Sequence, residues 1–320
     1  MSLTSSTWPI AAALHQFANP GVQHADSSTW VDTLREVAGV GFSNIDLTDS
    51  WLQIGDLSPE RLAEFELALV TAGVRVPALS ITRRSIIDPE TGDDNLAYTR
   101  RTLEAAASLG VGVLSLGLHR PLTAAQREQL WFWNAPSAGD PENDADTWNL
   151  AVSRFREIGR HAAEYNMLVS LEMYEDTYLG TADSAVRMIE EIGLPNVGLD
   201  PDIGNLVRLH RPIENWRDIL TKTLPHTNYW QVKNYTRDED HVTGAVITHP
   251  APLALGFINY RDAVREALSL GFQGVFCCEH YGGDGLGVSA MNQRYLRTLL
   301  PQPTINDDSA ASDLTRETQA

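Results

Sequence analysis

The sequence is short of cysteine, of positive charge and of long apolar runs, and each shortage removes a class of protein. The two cysteines, Cys277 and Cys278, are adjacent inside an apolar run. A mutual disulfide there is sterically awkward and no zinc-type spacing exists, so the pair reads as core thiols. Lys and Arg number 24 against 42 Asp and Glu, a formal charge of −18. A phosphate-backbone groove needs clustered cations, so nucleic acid is not an expected partner. No run approaches the roughly 18 apolar residues a membrane span needs, and no basic segment followed by an apolar one opens the chain. A soluble, cytoplasmic protein without a membrane partner is expected.

What remains is ample for a large core: 320 residues, 43% hydrophobic and 21% charged. One α/β barrel commonly takes about 250 residues. Eight short β-rich runs recur, at Ile10 to Leu14, Ser43 to Leu47, Arg75 to Ile81, Val111 to Leu118, Leu168 to Met173, Val197 to Asp200, Tyr229 to Asn234 and Gly274 to Glu279. Helical patterns separate and follow them: Ser27 to Ala38, Ser58 to Thr71, Asn95 to Leu109, Asp144 to Tyr165, Asp183 to Ile192, Glu214 to Thr223, Tyr260 to Leu270 and Ser289 to Leu300. Ser58-Pro59-Glu60 is a helix-start signal, and Gly73, Gly110, Gly193 and Gly271 are helix stops. This alternation predicts an α/β fold, a single (β/α)8 TIM barrel over residues 1–300. Long loops follow strand four, His119 to Asn143, and strand seven, Tyr235 to Asn259. The acidic tail, residues 301–320, lacks apolar periodicity and is expected to be disordered.

Side chains alternate between the faces of a strand, so the apolar parity marks the helix-facing side and the other parity enters the barrel. Leu114, Leu116 and Leu118 face out, leaving Ser115, Gly117 and His119 inside. Val169, Leu171 and Met173 leave Ser170 and Glu172; Phe276 and Cys278 leave Val275, Cys277 and Glu279. The same argument sends Ala11, Ala13 and His15, then Asn44 and Asp46, Ser80 and Thr82, Asp200 and Asp202, and Gln231 and Lys233 inward. His15, Asp46, His119, Glu172, Asp202, Lys233 and Glu279 thus gather near strand C-termini, where barrels carry their chemistry.

Carboxylates meeting in one mouth repel, and a divalent cation relieves that repulsion most simply. Glu172, Asp202 and Glu279, with Gln231 as a neutral oxygen donor, make an all-oxygen set suited to Mn²⁺, with Mg²⁺ or Co²⁺ as substitutes. Each acid has a plainer role as a helix cap or ion-pair partner; their shared parity and position favour the site. Asp200 lies deeper than Asp202 and suits organising the turn or a neighbouring ligand. Lys233 is placed to bind a sugar oxygen or move a proton, or else to pair with an acid. His119 serves equally as a site residue or a polar plug. His15, Asp46, Trp133 from the run Trp131-Phe132-Trp133, and His280 if a turn redirects it, are the candidate substrate contacts. The aromatic run fits a core plug or subunit contact as well as a lid.

Ser170-Leu171-Glu172, Asp202-Ile203-Gly204-Asn205, Gln231-Val232-Lys233-Asn234 and Glu279 together resemble the xylose isomerase-like TIM barrels over about residues 8 to 300. That superfamily holds sugar isomerases and epimerases, and also endonuclease IV. The resemblance implies a metal set at Glu172, Asp202, Gln231 and Glu279, although the family usually has histidine where this chain has Gln231. It implies two glutamates, here Glu172 and Glu279, exchanging protons with a sugar while a metal polarises its carbonyl. The nuclease branch is disfavoured by the acidic charge and the scarcity of inward histidines. Trp230 to Tyr235, the aromatic run and Glu279 to Asp284 also look similar to the larger subunit of bacterial C-glycoside deglycosidases. That would imply a lyase cleaving 3-oxo C-glucosides and a smaller β-rich partner subunit. Self-association through the aromatic insertion, and a non-catalytic sugar-binding protein, are the remaining readings.

Overall fold

The computed structural model of the protein describes residues 3–303. Seven strands come first: β1 (Ile10–Ala13), β2 (Asn44–Thr48), β3 (Arg75–Ile81), β4 (Val113–Leu116), β5 (Leu168–Glu172), β6 (Val197–Asp200) and β7 (Tyr229–Val232). An antiparallel hairpin, β8 (Asn234–Glu239) and β9 (Val246–Ala251), follows, and β10 (Val275–Cys278) is the eighth barrel strand. The barrel sheet is parallel and runs β6-β5-β4-β3-β2-β1-β10-β7. Between β6 and β7 a single bridge, Leu199 to Thr227, takes the place of a ladder, so the (β/α)8 barrel is nearly closed.

The two core layers follow the parity read from the sequence. Ala11, Ala13, Ala78, Val113, Tyr229, Val275 and Cys277 pack together inside the barrel. Leu114, Leu116, Leu118, Val169, Leu171, Met173, Phe276 and Cys278 join the larger core beneath the helices. Both cysteines are free and buried. Above the small apolar plug, Thr48, Ser80, Ser115, Ser170 and Gly198 align across successive strands. One register step pair further along, Glu172 lies opposite Asp200. Small residues in that row leave room inside the barrel for the larger polar groups above and below it.

Helix boundaries follow local chemistry. Ser58 accepts the Arg61 N–H at the start of Pro59–Ala72, and Gly73 ends that helix at φ +71°. Gly110, Gly193 and Gly271 are likewise left-handed, the conformation glycine adopts without steric cost. The last helix begins at Gly285, before the expected Ser289, because Asp284 caps it by accepting the Gly287 N–H.

Two expectations about the connections change. The segment after β7 is mainly the β8–β9 hairpin, fastened by buried Arg237, which donates to the carbonyls of Val207, Leu209 and Arg211. Its charged sequence, Asn234-Tyr235-Thr236-Arg237-Asp238-Glu239, hides the strand because only some positions face a core. The expected tail also begins in order: Ser5 N donates to Pro301 O and Ser5 Oγ to Gln302 Oε1. Residues 304–320, the rest of that tail, lie outside the described residues. Among the described residues no helix is long and apolar enough to cross a membrane.

Candidate active site

The polar interior has a floor and a mouth. On the floor, Asp46 Oδ2 accepts from Ser80 Oγ at 2.6 Å, from the Tyr229 hydroxyl and from Gln231 Nε2 at 3.3 Å. Gln231 Nε2 is also 3.3 Å from Ser80 Oγ, and the Gln231 N–H donates to Asp200 Oδ1 at 2.8 Å. Asp200 therefore organises a neighbouring candidate ligand, as its depth suggests. Asp46, expected as a substrate contact, is fully buried in the floor network instead. Its three partners come from β3 and β7, and that convergence is what the parity of one strand cannot reveal.

In the mouth, Lys233 stands among the acids. Its ammonium lies 2.6 Å from Asp202 Oδ2 and contacts Glu279 Oε2. Burial opposes its charge, but Asp202 and Glu279 override it and hold the ammonium protonated. Burial would also raise Glu279; Lys233 outweighs it and holds that carboxyl at about 2. Glu172 differs: burial pushes it up to about 7, against the pull of Lys233. Burial likewise raises Asp200 and Asp202. One ammonium thus settles its charge chiefly on Glu279, which leaves one carboxyl held ionised and one raised toward neutrality in the same mouth.

Both acids have a histidine beside them. His119 Nε2 is 3.9 Å from Glu172 Oε2, its ring stacked on Tyr174 with centroids 4.5 Å apart. Asn205 Nδ2 donates to Glu172 Oε1 at 2.9 Å and fixes the carboxyl. His15 Nδ1 is 3.8 Å from Glu279 Oε1, while its Nε2 faces the His280 carbonyl at 2.9 Å. A carbonyl can only accept, so His15 carries its proton on Nε2 and turns a lone pair toward the mouth. Burial lowers both histidines, His119 well below the usual imidazole range, and keeps them neutral. His280 is buried at the end of β10, and its backbone rather than its ring makes the recorded bond to His15.

An aromatic roof closes the mouth. Trp131 and Trp133 stack at 5.0 Å, Tyr235 and Tyr281 meet the Trp133 ring at 5.3 and 5.9 Å, and Trp133 Nε1 donates to Thr248 Oγ1 of β9. Gly282, at φ +77°, lets Trp131 approach: a Cβ there would come 2.7 Å from its ring. At the centre sits Arg208, fully buried, with Nη2 at 3.1 and 3.0 Å from the two oxygens of Glu175 and its guanidinium 4.8 Å from the Phe132 ring and 5.3 Å from the Tyr174 ring. Trp133 is therefore part of the cover over the site. Arg208, Glu175, Tyr174 and Tyr281 are not among the site residues expected from the sequence, because nothing in their spacing marks them. The nearest usable signal was an arginine inside the apolar run Leu206-Val207-Arg208-Leu209.

The metal set expected from the sequence is not assembled. Lys233, rather than an open space, lies between Asp202 and Glu279. Gln231 gives its amide nitrogen to Asp46 and Ser80 below, and Glu172 is held by Asn205. Among the described residues no three of His, Cys, Asp and Glu converge as ligands for a metal ion. Gln231 Oε1 and Asp202 Oδ1 nonetheless stay buried without a hydrogen-bond partner, two oxygens that would suit a divalent cation, and no chemical step is routed through one. A cavity of about 830 Å³ lies elsewhere, between the strand-four and strand-five loops and lined by Asp140, Trp148, Tyr178, Arg187 and Arg211; the acids of the mouth do not border it.

The fold and this mouth together define a (β/α)8 barrel with carboxyl groups and a lysine gathered at the C-terminal ends of its strands. The chain belongs to the xylose isomerase-like TIM barrel family, whose description matches residues 34–299. A xylose isomerase-like TIM barrel protein from Mycobacterium smegmatis, crystallised in complex with magnesium, is 43% identical, with a TM-score of 0.89 over 93% of this chain and 98% of that one. A 3-keto-D-glucoside 4-epimerase from E. coli shares the fold at 16% identity and a TM-score of 0.64, over 91% and 99% of the two chains. A D-allulose 3-epimerase from Methylomonas sp. does so at 12% identity and a TM-score of 0.64, over 92% and 98%. No curated protein matches.

Proposed function

We propose that this protein is a sugar isomerase or epimerase-type enzyme that moves a proton at a carbon next to a carbonyl. The observation that carries the reading is the placing of two glutamates in one mouth, Glu279 against the Lys233 ammonium and Glu172 held by Asn205 beside His119. Lys233 keeps Glu279 ionised while burial raises Glu172. The Glu279 carboxylate takes the proton from the C–H bond, and the electron pair passes into the carbonyl to form an enediolate. The Lys233 ammonium lies beside the oxygen on which that charge grows. Glu172 returns a proton from the other side of the mouth, with strands β6 and β7 between the two acids. The net change is one proton moved, and both carboxyls reset by exchange with solvent.

Neutral His15 and His119 suit hydrogen bonds to sugar hydroxyls, and the dry roof strengthens every charge interaction beneath it. The test is deuterium wash-in at the carbon next to the carbonyl, followed by NMR in D₂O for a panel of ketoses and 3-oxo-glucosides. The wild type is expected to exchange at least one of them, and Glu172→Gln to slow it by about 10²–10⁴-fold with binding retained. Bound sugars that never exchange would overturn the reading.

One observation favours a second outcome of the same chemistry. Trp131, Phe132, Trp133 and Tyr281 pack together as an apolar cover over the mouth, a lining that suits an aryl group. With a leaving group β to the abstracted proton, the enediolate expels it, and a 3-oxo C-glucoside would release its aryl aglycone. Aglycone release without epimerised product would assign the lyase reaction.

A further inference from the structure

We infer that Arg83, with Arg208 beside it, forms an anion-receiving end of the mouth, so that the substrate carries a carboxylate or phosphate group. The inference rests on the proton-transfer reading only in calling that ligand a substrate; the two guanidiniums stand on geometry.

Asp49 sets Arg83 in place. Its buried carboxylate accepts from the Thr82 N–H and hydroxyl, both at 2.8 Å, and from Arg84 Nε at 3.0 Å. Held on either side, Arg83 takes φ +54°. A residue with a Cβ enters that left-handed region at a cost, and keeps it where neighbouring contacts over-determine the backbone. The bend brings the guanidinium to 4.8 Å from the Phe132 ring, and Nη2 donates to the Tyr174 hydroxyl at 2.9 Å. Tyr174 stacks on His119, the neighbour of Glu172, so the cation stands two rings away from an acid of the mouth.

Arg83 differs from the arginines around it. Arg84 pairs with Asp49, Arg120 with Asp88 and Asp140, and Arg208 with Glu175. Among the described residues Arg83 has no carboxylate partner; its bonds go to the Tyr174 hydroxyl and the Arg120 carbonyl. Arg208 adds two buried nitrogens, Nε and Nη1, without an acceptor, and its guanidinium also lies 4.8 Å from Phe132. Two cations thus converge on one ring of the roof, with Glu175 alone to balance them. A guanidinium fork matches the oxygens of a carboxylate or a phosphate, and lifting Phe132 to admit a sugar uncovers both forks.

The experiment is isothermal titration calorimetry with D-fructose, D-fructuronate and D-fructose 6-phosphate, at low and high salt, on wild type, Arg83→Lys and Arg83→Met. Wild type at low salt is expected to bind at least one anion about tenfold or more tighter than fructose. High salt should narrow that preference, Arg83→Lys should keep part of it and Arg83→Met should lose it. Preference for fructuronate alone assigns a sugar acid, and for fructose 6-phosphate alone a sugar phosphate.

Anions that bind no tighter than fructose, or not at all, overturn the inference. So does a preference that survives Arg83→Met, or a variant that weakens all three ligands alike, which would mark Arg83 as a support of the roof. Should Arg83→Met fail to fold, phenylglyoxal labelling of wild type decides, read by peptide mass spectrometry: protection of Arg83 by an anion but not by fructose upholds the inference, and equal labelling overturns it. No turnover enters either measurement, so both stay readable if the wash-in assay fails.

Discussion

Glu175→Gln tests the roof most directly. Arg208 and Glu175 are 0% and 2% exposed at their side chains, and one guanidinium nitrogen bridges both carboxylate oxygens. Removing one member of a buried pair costs about 3–5 kcal/mol, because the other is left charged and dry. The glutamine retains one acceptor oxygen, which recovers about 1 kcal/mol. The rings of Phe132, Trp133, Tyr174 and Tyr281 lie 4.8–5.8 Å from the guanidinium carbon. They stabilise the cation in both proteins and cancel from the difference. The expected loss is about 2–4 kcal/mol, and at roughly 2–4 °C per kcal/mol a fall of about 5–15 °C in Tm. Urea unfolding followed by far-UV circular dichroism should show a lower midpoint with an unchanged slope. The loss should persist in high salt, since buried charges are screened little. A loss below about 1 kcal/mol would mean that the aromatic cage alone holds Arg208 and that the pair argument is wrong.

Two further outcomes follow from positions described above. Gly204→Ala forces the Lys233 stem aside; wash-in should fall at least tenfold while far-UV circular dichroism stays native, and an active variant would show that Lys233 has slack. Asp140 is raised to about 6 by burial, against the Tyr178 N–H and Arg120. Its proton is held more tightly in the folded chain than in the unfolded one, so its contribution is complete below about pH 4 and lost as pH rises through 6. Relative to Asp140→Asn, wild type should lose on the order of 2 kcal/mol across that window, and parallel stability curves for the two proteins would refute it.

The alternation of apolar and polar positions made the barrel readable, because a strand buried on both faces must send one parity to the helices and the other inside. Ala11, Val275 and Cys277 inside, and Leu114, Val169 and Phe276 outside, follow that rule. The same rule placed Glu172, Asp202, Lys233 and Glu279 in one mouth. It does not say which way a side chain turns once inside. Gln231 turns to the floor because Asp46 arrives from a strand far away in sequence, and Lys233 reaches the acids because Gly204 leaves it space. Arg208 escaped for a related reason: its partners, Glu175 and four rings, come from three separate connections, after β4, β5 and β10.

The seam between β6 and β7 gives the Lys233–Asp202 contact a second meaning. Backbone pairing there is reduced to one bridge, and the Gln231 N–H is satisfied by the Asp200 side chain instead of a strand carbonyl. The barrel's circumference is therefore completed at this point by charge and carboxylate contacts between side chains. A ligand that drew the ammonium toward itself would weaken this join, and binding would then be coupled to opening of the seam. Amide hydrogen exchange along Val197–Asp200 and Tyr229–Val232 would register that coupling as faster opening when the mouth is filled.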